Sequence, residues 1–383
     1  MTHDGWIHRR RHDVVFYTPW IGSILSVRDP RPSGGAETQI LLLARELARR
    51  GASVALVVYG RREDLPREVD GVLIVPRRPY RRPDRFSAKV REALRVWHAL
   101  ARAPAKVVVY RSAGFELLLL ALYTRVSRSC LVYSSASIAD FDYRMFNHPV
   151  AGQMFGLGLR LSDLIVVQTE DQVAPCTRAL GRRPVVIKSI AEPANSKTRS
   201  PQAFLWIGGL RSYKRPLEYI ALARALPEAK FWMVGVVDAR LEEDRLLAAR
   251  VAAEADKLTN LELISPRPRA QLQELVSDAV AIVNTSDFEG MPNVLLEGWS
   301  QGIPALVLAH DPGGVVETYG LGAFAGGSRE RFVTQAREQW LARGSRDQLS
   351  HACQAYVEQH HGAHAIASQW LEVLASSPTH ATA

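Results

Sequence analysis

The sequence predicts an α/β protein made of two doubly wound parallel-sheet domains. Short apolar runs rich in Val and Ile alternate with segments of helical periodicity, the pattern of parallel strands covered by helices. The alternation stops at Glu192-Pro193-Ala194-Asn195-Ser196-Lys197-Thr198-Arg199-Ser200-Pro201, a polar stretch of linker composition, and then begins again. The length of 383 residues suits two domains of ordinary size.

Before the linker, apolar runs place strands at 14–19, 53–58, 72–75, 106–110, 130–134, 164–168 and 185–188. Helical periodicity fills the gaps at 38–50, 86–102, 115–125, 146–161 and 171–180. Beyond it, strands fall at 204–207, 230–234, 261–264, 280–284 and 305–308, with helices near 215–225, 241–255, 270–277 and 293–301; from Arg329 onward the pattern is helical only. The expected division is a first domain over 1–191, a linker over 192–201, a second domain over 202–345, and closing helices over 346–383 that pack back toward the first domain. Two such domains would face each other across a cleft at the carboxyl ends of their sheets, where ligands of open α/β folds bind.

Composition narrows the class. With 47% hydrophobic residues, 23% charged and 26 glycines, collagen, coiled coil and wholesale disorder are excluded. The longest nearly apolar run, around Leu117-Leu118-Leu119-Leu120, is about half of the roughly 20 residues a membrane span needs. The start, Met1-Thr2-His3-Asp4-Gly5-Trp6, has no positive segment leading into an apolar one, so a cytoplasmic chain is expected. Cys130, Cys176 and Cys353 show neither a disulfide framework nor a CxxC spacing, and are expected to be reduced bystanders. The eleven histidines, His360-His361 included, lack a metal-ligand spacing and are expected at the surface.

Charge is unevenly placed. Residues 1–200 hold 32 Lys and Arg against 18 Asp and Glu, whereas the rest of the chain is net acidic. The excess is densest over residues 77–102, where Arg77, Arg78, Arg81, Arg82 and Arg85 precede a stretch in which Lys89, Arg91, Arg95 and Arg102 interleave with Val90, Leu94, Trp97 and Leu100. That pattern suits either a solvated surface or an anionic membrane face, in keeping with a location at the inner face of the cytoplasmic membrane. No zinc-finger, KH or RRM signature points to nucleic acid.

Two segments carry ligand chemistry. Ser33-Gly34-Gly35-Ala36-Glu37-Thr38 leads into a helix, and glycines there let backbone and helix N–H groups approach a phosphate, although the stretch is neither a P-loop nor GxGxxG. In Asn284-Thr285-Ser286-Asp287-Phe288-Glu289-Gly290-Met291-Pro292-Asn293-Val294-Leu295-Leu296-Glu297, Pro292 suits a helix start, and Glu289 and Glu297 flank the helix N-terminus. Amides for an anion beside carboxylates for hydroxyls match what a sugar diphosphate presents.

With Ser162-Asp163-Leu164-Ile165-Val166-Val167-Gln168-Thr169, Trp206-Ile207-Gly208-Gly209-Leu210-Arg211-Ser212-Tyr213-Lys214-Arg215-Pro216, Gly302-Ile303-Pro304 and Asp311-Pro312-Gly313-Gly314 in the same order, the chain resembles the retaining glycosyltransferases of family 4, of the GT-B fold with two Rossmann-like domains. The resemblance implies a nucleotide-diphosphate-sugar donor, UDP-linked in preference to GDP-linked, held by the second domain. The acceptor, a glycan or polyprenyl-linked glycolipid of cell-surface polysaccharide synthesis, would be held by the first. It implies that Glu289 contacts the donor sugar, with the amides of Gly290, Met291, Pro292 and Asn293 alongside, and that Glu297 holds the ribose. Lys214 would neutralise the diphosphate, the loop Pro266-Arg267-Pro268-Arg269 would lie where relatives grip the base, with Arg267 as the candidate, and Gly34 and Gly35 would approach the phosphates. No metal or other cofactor is implied.

Two departures stand out. Where relatives carry an arginine five residues before the lysine, this chain has Gly209, which leaves Arg211 as the candidate second charge. Where relatives place a histidine, Ser135-Ala136-Ser137-Ile138-Ala139-Asp140-Phe141-Asp142 has none, and Asp140 becomes the candidate there. The same Asp140-Phe141-Asp142 spells a DxD, the metal-binding triplet of another transferase fold. The rival functions are a nucleotide-sugar 2-epimerase and an inactive donor-binding subunit.

Overall fold

A computed structural model describes residues 11–28, 35–78, 86–142, 146, 149–192, 200–238 and 241–377. They form two compact units, Met1–Ile187 with Ala363–Ala383, and Lys188–Gly362. Residues 193–199 of the expected linker lie outside the described residues, and the division falls at Ile187.

The first unit is built on an eight-stranded sheet: β1 (His12–Tyr17), β2 (Val54–Tyr59), β3 (Glu68–Val69), β4 (Val72–Arg77), β5 (Ala105–Tyr110), β6 (Cys130–Ser134), β7 (Leu164–Val167) and β8 (Val185–Val186). The order is β3-β4-β2-β1-β5-β6-β7-β8, parallel except for the β3–β4 pair. All six residues of β2, Val-Ala-Leu-Val-Val-Tyr, are buried, because a parallel strand with helices on both faces has no solvent side. Its helices are α1 (Gly22–Leu25), α2 (Gly35–Arg49), α3 (Phe86–Ala101), α4 (Glu116–Ser127), α5 (Pro149–Leu161) and α6 (Val173–Leu180). Gly181, at φ 70°, ends α6 in the left-handed conformation that glycine adopts without a Cβ clash.

The basic stretch divides between core and surface. Arg77 is 4% exposed and ion-paired with Glu92 of α3, so it belongs to the interior and not to a surface patch. Trp97 turns inward too, donating from Nε1 to the Leu119 carbonyl at 3.3 Å, while Arg91, Leu94 and Arg95 remain outside. The expected positions 79–85 lie outside the described residues.

The second unit has a six-stranded, wholly parallel sheet: β9 (Ala203–Gly209), β10 (Phe231–Val236), β11 (Leu261–Leu263), β12 (Ala279–Asn284), β13 (Ala305–Val307) and β14 (Gly322–Phe324), in the order β11-β10-β9-β12-β13-β14. Around it lie α7 (Pro216–Ala225), α8 (Glu242–Ala255), α9 (Arg269–Ser277), α10 (Asn293–Ser300), α11 (Val315–Thr318), α12 (Arg329–Leu341) and α13 (Asp347–His361). The chain goes from β9 to β10 and β11 on one side, then returns to β12 on the other. The neighbouring ends of β9 and β12 are therefore the topological switch point, the place where open α/β sheets bind ligands.

The closing helices differ from the expectation for 346–383. Cys353, Tyr356 and Val357 of α13 join the second unit's core with Trp299 of α10, and only α14 (Ala363–Ser376) belongs to the first unit. There it packs on α2, with Arg50 Nη1 donating to Ser368 Oγ at 2.8 Å. His361 is fully buried, not at the surface: Nδ1 lies 2.7 Å from the Ser189 carbonyl and Nε2 lies 3.3 Å from the Tyr356 hydroxyl. Burial lowers its pKa to about 4, so the ring is neutral.

Helix α10 is pressed against β12 through Gly298, where a Cβ would stand 2.5 Å from Ile282 Cγ1. Gly298→Ala is therefore expected to destabilise the chain by about 1–3 kcal/mol, the usual cost of overpacking. Urea unfolding checks this, and an unchanged midpoint would show that α10 has slack.

Candidate functional site

The site of the second unit is assembled on the loops that leave β9 and β12. After β9 the chain turns through a short 3-10 helix, Ser212–Lys214, and Arg215 adopts φ 47°, ψ 54° before Pro216 opens α7. After β12, residues 285–292 run to α10. The two loops are stitched together. Trp206 Nε1 donates to Thr285 Oγ1 at 3.1 Å, Thr285 Oγ1 donates to the Lys214 carbonyl at 2.7 Å, and the Asp287 amide donates to the Tyr213 carbonyl at 2.9 Å. Tyr213 and Phe288 stack with centroids 4.9 Å apart.

This framework brings Lys214 and Glu289 together as an ion pair between Nζ and Oε1. Ser286 Oγ donates to the same oxygen at 2.8 Å, and Oε2 has no partner among the described residues. Burial by itself would lower the lysine pKa, but the Glu289 carboxylate, with Tyr213 beside it, more than offsets this and raises it. The ammonium is therefore charged at neutral pH. The arrangement offers a fixed cation to an anion, and a held carboxylate with a free oxygen to a hydroxyl.

Glu297 lies on α10, and Gly290, Met291 and Pro292 are buried just before that helix, with Asn293 as its first residue. The Glu297 carboxylate pairs with Arg269 at 3.1 Å, and the same arginine reaches Glu192 at 3.1 Å. Burial raises the Glu297 pKa, Arg269 opposes the rise, and Glu192 adds to it.

Other expected residues sit differently. Arg267 is exposed, and Arg269, two positions on, is the arginine that meets Glu297. Arg211 is held by Asp244 at 2.6 Å and Asp238 at 3.6 Å, so its charge is already matched by two carboxylates. In the first unit, Asp140 is 3% exposed, and its Oδ2 accepts from Tyr133 at 2.9 Å, Ser135 Oγ at 2.8 Å, and the amides of Ala136 at 3.0 Å and Ser137 at 3.4 Å. It closes a capping box on the 3-10 turn Ile138–Asp140, a structural role in place of the expected ligand contact, while Asp142 is exposed. Gly35 is the first residue of α2, and Gly34 lies outside the described residues. Sequence reading gave no role to Ser286 or Thr285, and placed Arg269 only within the loop expected at the base. Ser286, three residues before Glu289, and Arg269, at the start of α9, were readable by spacing alone once the loops were known to converge.

Among the described residues, no group of three or more His, Cys, Asp or Glu side chains gathers to hold a metal ion, and no helix is long and apolar enough to cross a membrane.

Comparison with known proteins follows the same division. Residues 33–187 match the family model described as Glycosyltransferase Family 4. Among curated proteins, none matches. Solved structures similar to the chain include Alr3699/HepE from Anabaena in complex with UDP and glucose, 14% identical over 96% of this chain and 100% of that one, with a TM-score of 0.73. Sucrose-phosphate synthase from Thermosynechococcus elongatus is 14% identical, over 95% of this chain and 98% of that one, with a TM-score of 0.74. An E. coli trehalose-6-phosphate protein bound with UDP-2-fluoro glucose is 13% identical, over 95% and 99%, with a TM-score of 0.70.

Glu297 supplies a test of the site. Its raised pKa means that folding favours the protonated acid, so the carboxylate costs stability above its folded pKa, and that cost disappears as pH falls below the ordinary value of 4.5. Glu297→Gln is expected to raise the melting temperature at pH 7 and to lose that advantage near pH 4. A variant less stable at pH 7 would show that the Arg269 pair outweighs burial. Residues 33–187 are thus similar to the family 4 glycosyltransferase model, and along nearly its whole length the chain has the GT-B fold of two Rossmann-like domains.

Proposed function

We propose that this chain transfers a sugar, with retention at the anomeric carbon, from a nucleotide-diphosphate donor to a hydroxyl of a glycan or polyprenyl-linked glycolipid in cell-surface polysaccharide synthesis. The observation that carries the reading is the Lys214–Glu289–Ser286 cluster at the switch point of the second unit, next to Glu297 on α10. UDP is the favoured nucleotide because HepE is described with UDP and with UDP-glucose.

In this reading Glu297 accepts from the ribose hydroxyls and the free Oε2 of Glu289 accepts from a hydroxyl of the donor sugar. The backbone N–H groups of Gly290, Met291 and Asn293 and the positive end of α10 face the negative donor. Lys214 shares its charge with the diphosphate as the bond to the sugar breaks, the moment at which a fixed cation contributes most. The departing phosphate oxygen takes the proton of the attacking hydroxyl, so no covalent enzyme intermediate is required. No metal takes part. The first unit holds the acceptor, and its basic surface, with Arg91 and Arg95 beside the 61% exposed Leu94, suits a peripheral place on the inner face of the cytoplasmic membrane.

Calorimetric titration with UDP and GDP, repeated with EDTA, tests the donor side. UDP binding that survives EDTA, falls in Glu297→Ala, and accompanies a transfer rate about 10²–10³-fold lower in Lys214→Ala is the expected result. No binding of either nucleotide would overturn the reading.

A second reading, an inactive donor-binding subunit, is favoured by Gly209 together with the engagement of Arg211 by Asp238 and Asp244. The two are separable. A Cβ at Gly209 would meet nothing closer than 3.7 Å, so an arginine can start there without displacing its neighbours. If the chain is an inactive subunit for want of that charge, Gly209→Arg creates turnover absent from the wild type. If it is a transferase, the wild type turns over and the substitution tightens UDP by roughly tenfold, a gain typical of one charge-assisted contact.

A further inference from the structure

The first unit has a switch point of its own. From β1 the chain builds β2 and β4 to one side, then crosses to β5 on the other and continues outward, so the direction reverses between β1 and β5. Ligands of such sheets bind beyond the carboxyl ends of those two strands. Here the ends carry a row of tyrosines in register, Tyr17 beside Tyr110 and Tyr110 beside Tyr133, with ring centroids 5.8 and 6.3 Å apart. The Tyr17 hydroxyl is buried without a partner.

Two arginines reach this edge, and they differ in their compensation. Arg77 ends β4, pairs with Glu92, and lies 4.9 Å from the ring centre of Tyr59 and 5.9 Å from that of Tyr17, so its charge is answered by a carboxylate and by two aromatic faces. Arg111, the residue after β5, has no ion pair among the described residues. Its one hydrogen bond there is a long contact, 3.4 Å from Nη1 to Ser134 Oγ, and its buried Nε has none. The charged groups that face it are Asp140 and Glu37, with the Tyr133 phenol. Asp140 Oδ2 already accepts four donors, and Glu37 stands on the first turn of α2. Burial pulls the Arg111 pKa down to about 10, the direction of a cation whose surroundings answer it incompletely.

A partly buried guanidinium whose Nε is shut away without a partner is costly unless something else supplies the counter-charge. Its planar fork matches the two oxygens of a carboxylate or the oxygens of a phosphate. The same unit carries the basic excess of the chain, which favours an anion at close range.

We propose that Arg111 is the oxyanion-recognition residue of the first unit, binding the carboxylate or phosphate of an acidic acceptor at the β1–β5 switch point. This rests on the reading of the chain as a transferase whose first unit holds the acceptor. It narrows that acceptor to a sugar or lipid-linked glycan bearing a negative group.

The test is calorimetric titration of the full chain with glucuronate, glucose 6-phosphate and glucose, with UDP titrated separately. Wild type is expected to bind at least one of the two acidic sugars tenfold or more tighter than glucose, and which one identifies carboxylate or phosphate as the group recognised. Arg111→Gln should abolish the preference, Arg111→Lys should keep part of it, and UDP affinity should be the same in all three. Melting curves confirm that the variants are folded; if Arg111→Gln is not, the wild-type preference and Arg111→Lys decide. No preference in wild type, a preference that survives Arg111→Gln, or a parallel loss of UDP binding would each overturn the proposal, the last by moving Arg111 to the donor. Failure of UDP to bind the wild type would count against the transferase reading while leaving the acidic-sugar preference to be read independently.

Discussion

The second unit's chemistry depends on the ion pair between Lys214 and Glu289, because each partner comes from a different loop and each is mostly buried, with side chains 21% and 14% exposed. Removing one member of such a pair leaves the other as an uncompensated charge at a cost of about 3–5 kcal/mol, so neither loop can move far alone. Around the pair the loops are fixed by hydrogen bonds that bypass it, through Thr285 to the Lys214 carbonyl and from the Asp287 amide to Tyr213. The lysine is thus held from its backbone as well as from its tip. A cation positioned in advance is what an anionic leaving group needs, since no reorganisation is required when its charge develops.

The two units share a winding rule but treat their switch points differently. In the second, charge is paired across loops and supplemented by the start of α10, with Arg269 joining Glu297 to Glu192. In the first, the strand ends are occupied by tyrosines whose buried hydroxyls have pKa values pushed upward chiefly by burial, so they stay neutral donors. Within that neutral row the buried polar atoms without a partner among the described residues are Tyr17 Oη, Arg77 Nε and Nη1, and Arg111 Nε.

Most of the strands were legible because a parallel strand covered on both faces must be apolar along its length, as in β2 and β12. The elements that escaped, β3 with two residues and β14 with three, are edge strands too short to carry periodicity. Gly322 in β14 does not look like strand sequence, yet a Cβ there would come within 2.0 Å of the Ala305 carbonyl oxygen, so close approach to β13 demands it. The placement of α13 was unreadable for another reason: its apolar residues suit any core, and only their packing against Trp299 assigns them to the second unit.

The site shows the same limit at the level of single side chains. Glu289, Lys214 and Glu297 could be named because the loops that carry them follow strand ends, a constraint that spacing expresses. Arg211 could not be placed, because a long cationic side chain goes where the nearest carboxylate is, and Asp238, just after β10, and Asp244, in α8, lie well beyond it in the chain. Asp140 fails in the opposite way. Its carboxylate looked available in the sequence, but the turn it ends presents two backbone amides and two hydroxyls to one oxygen, which fixes the side chain as part of that turn. The residues best fitted to bind something are therefore those whose hydrogen-bonding capacity the fold leaves unused: Oε2 of Glu289 in one unit and the guanidinium of Arg111 in the other.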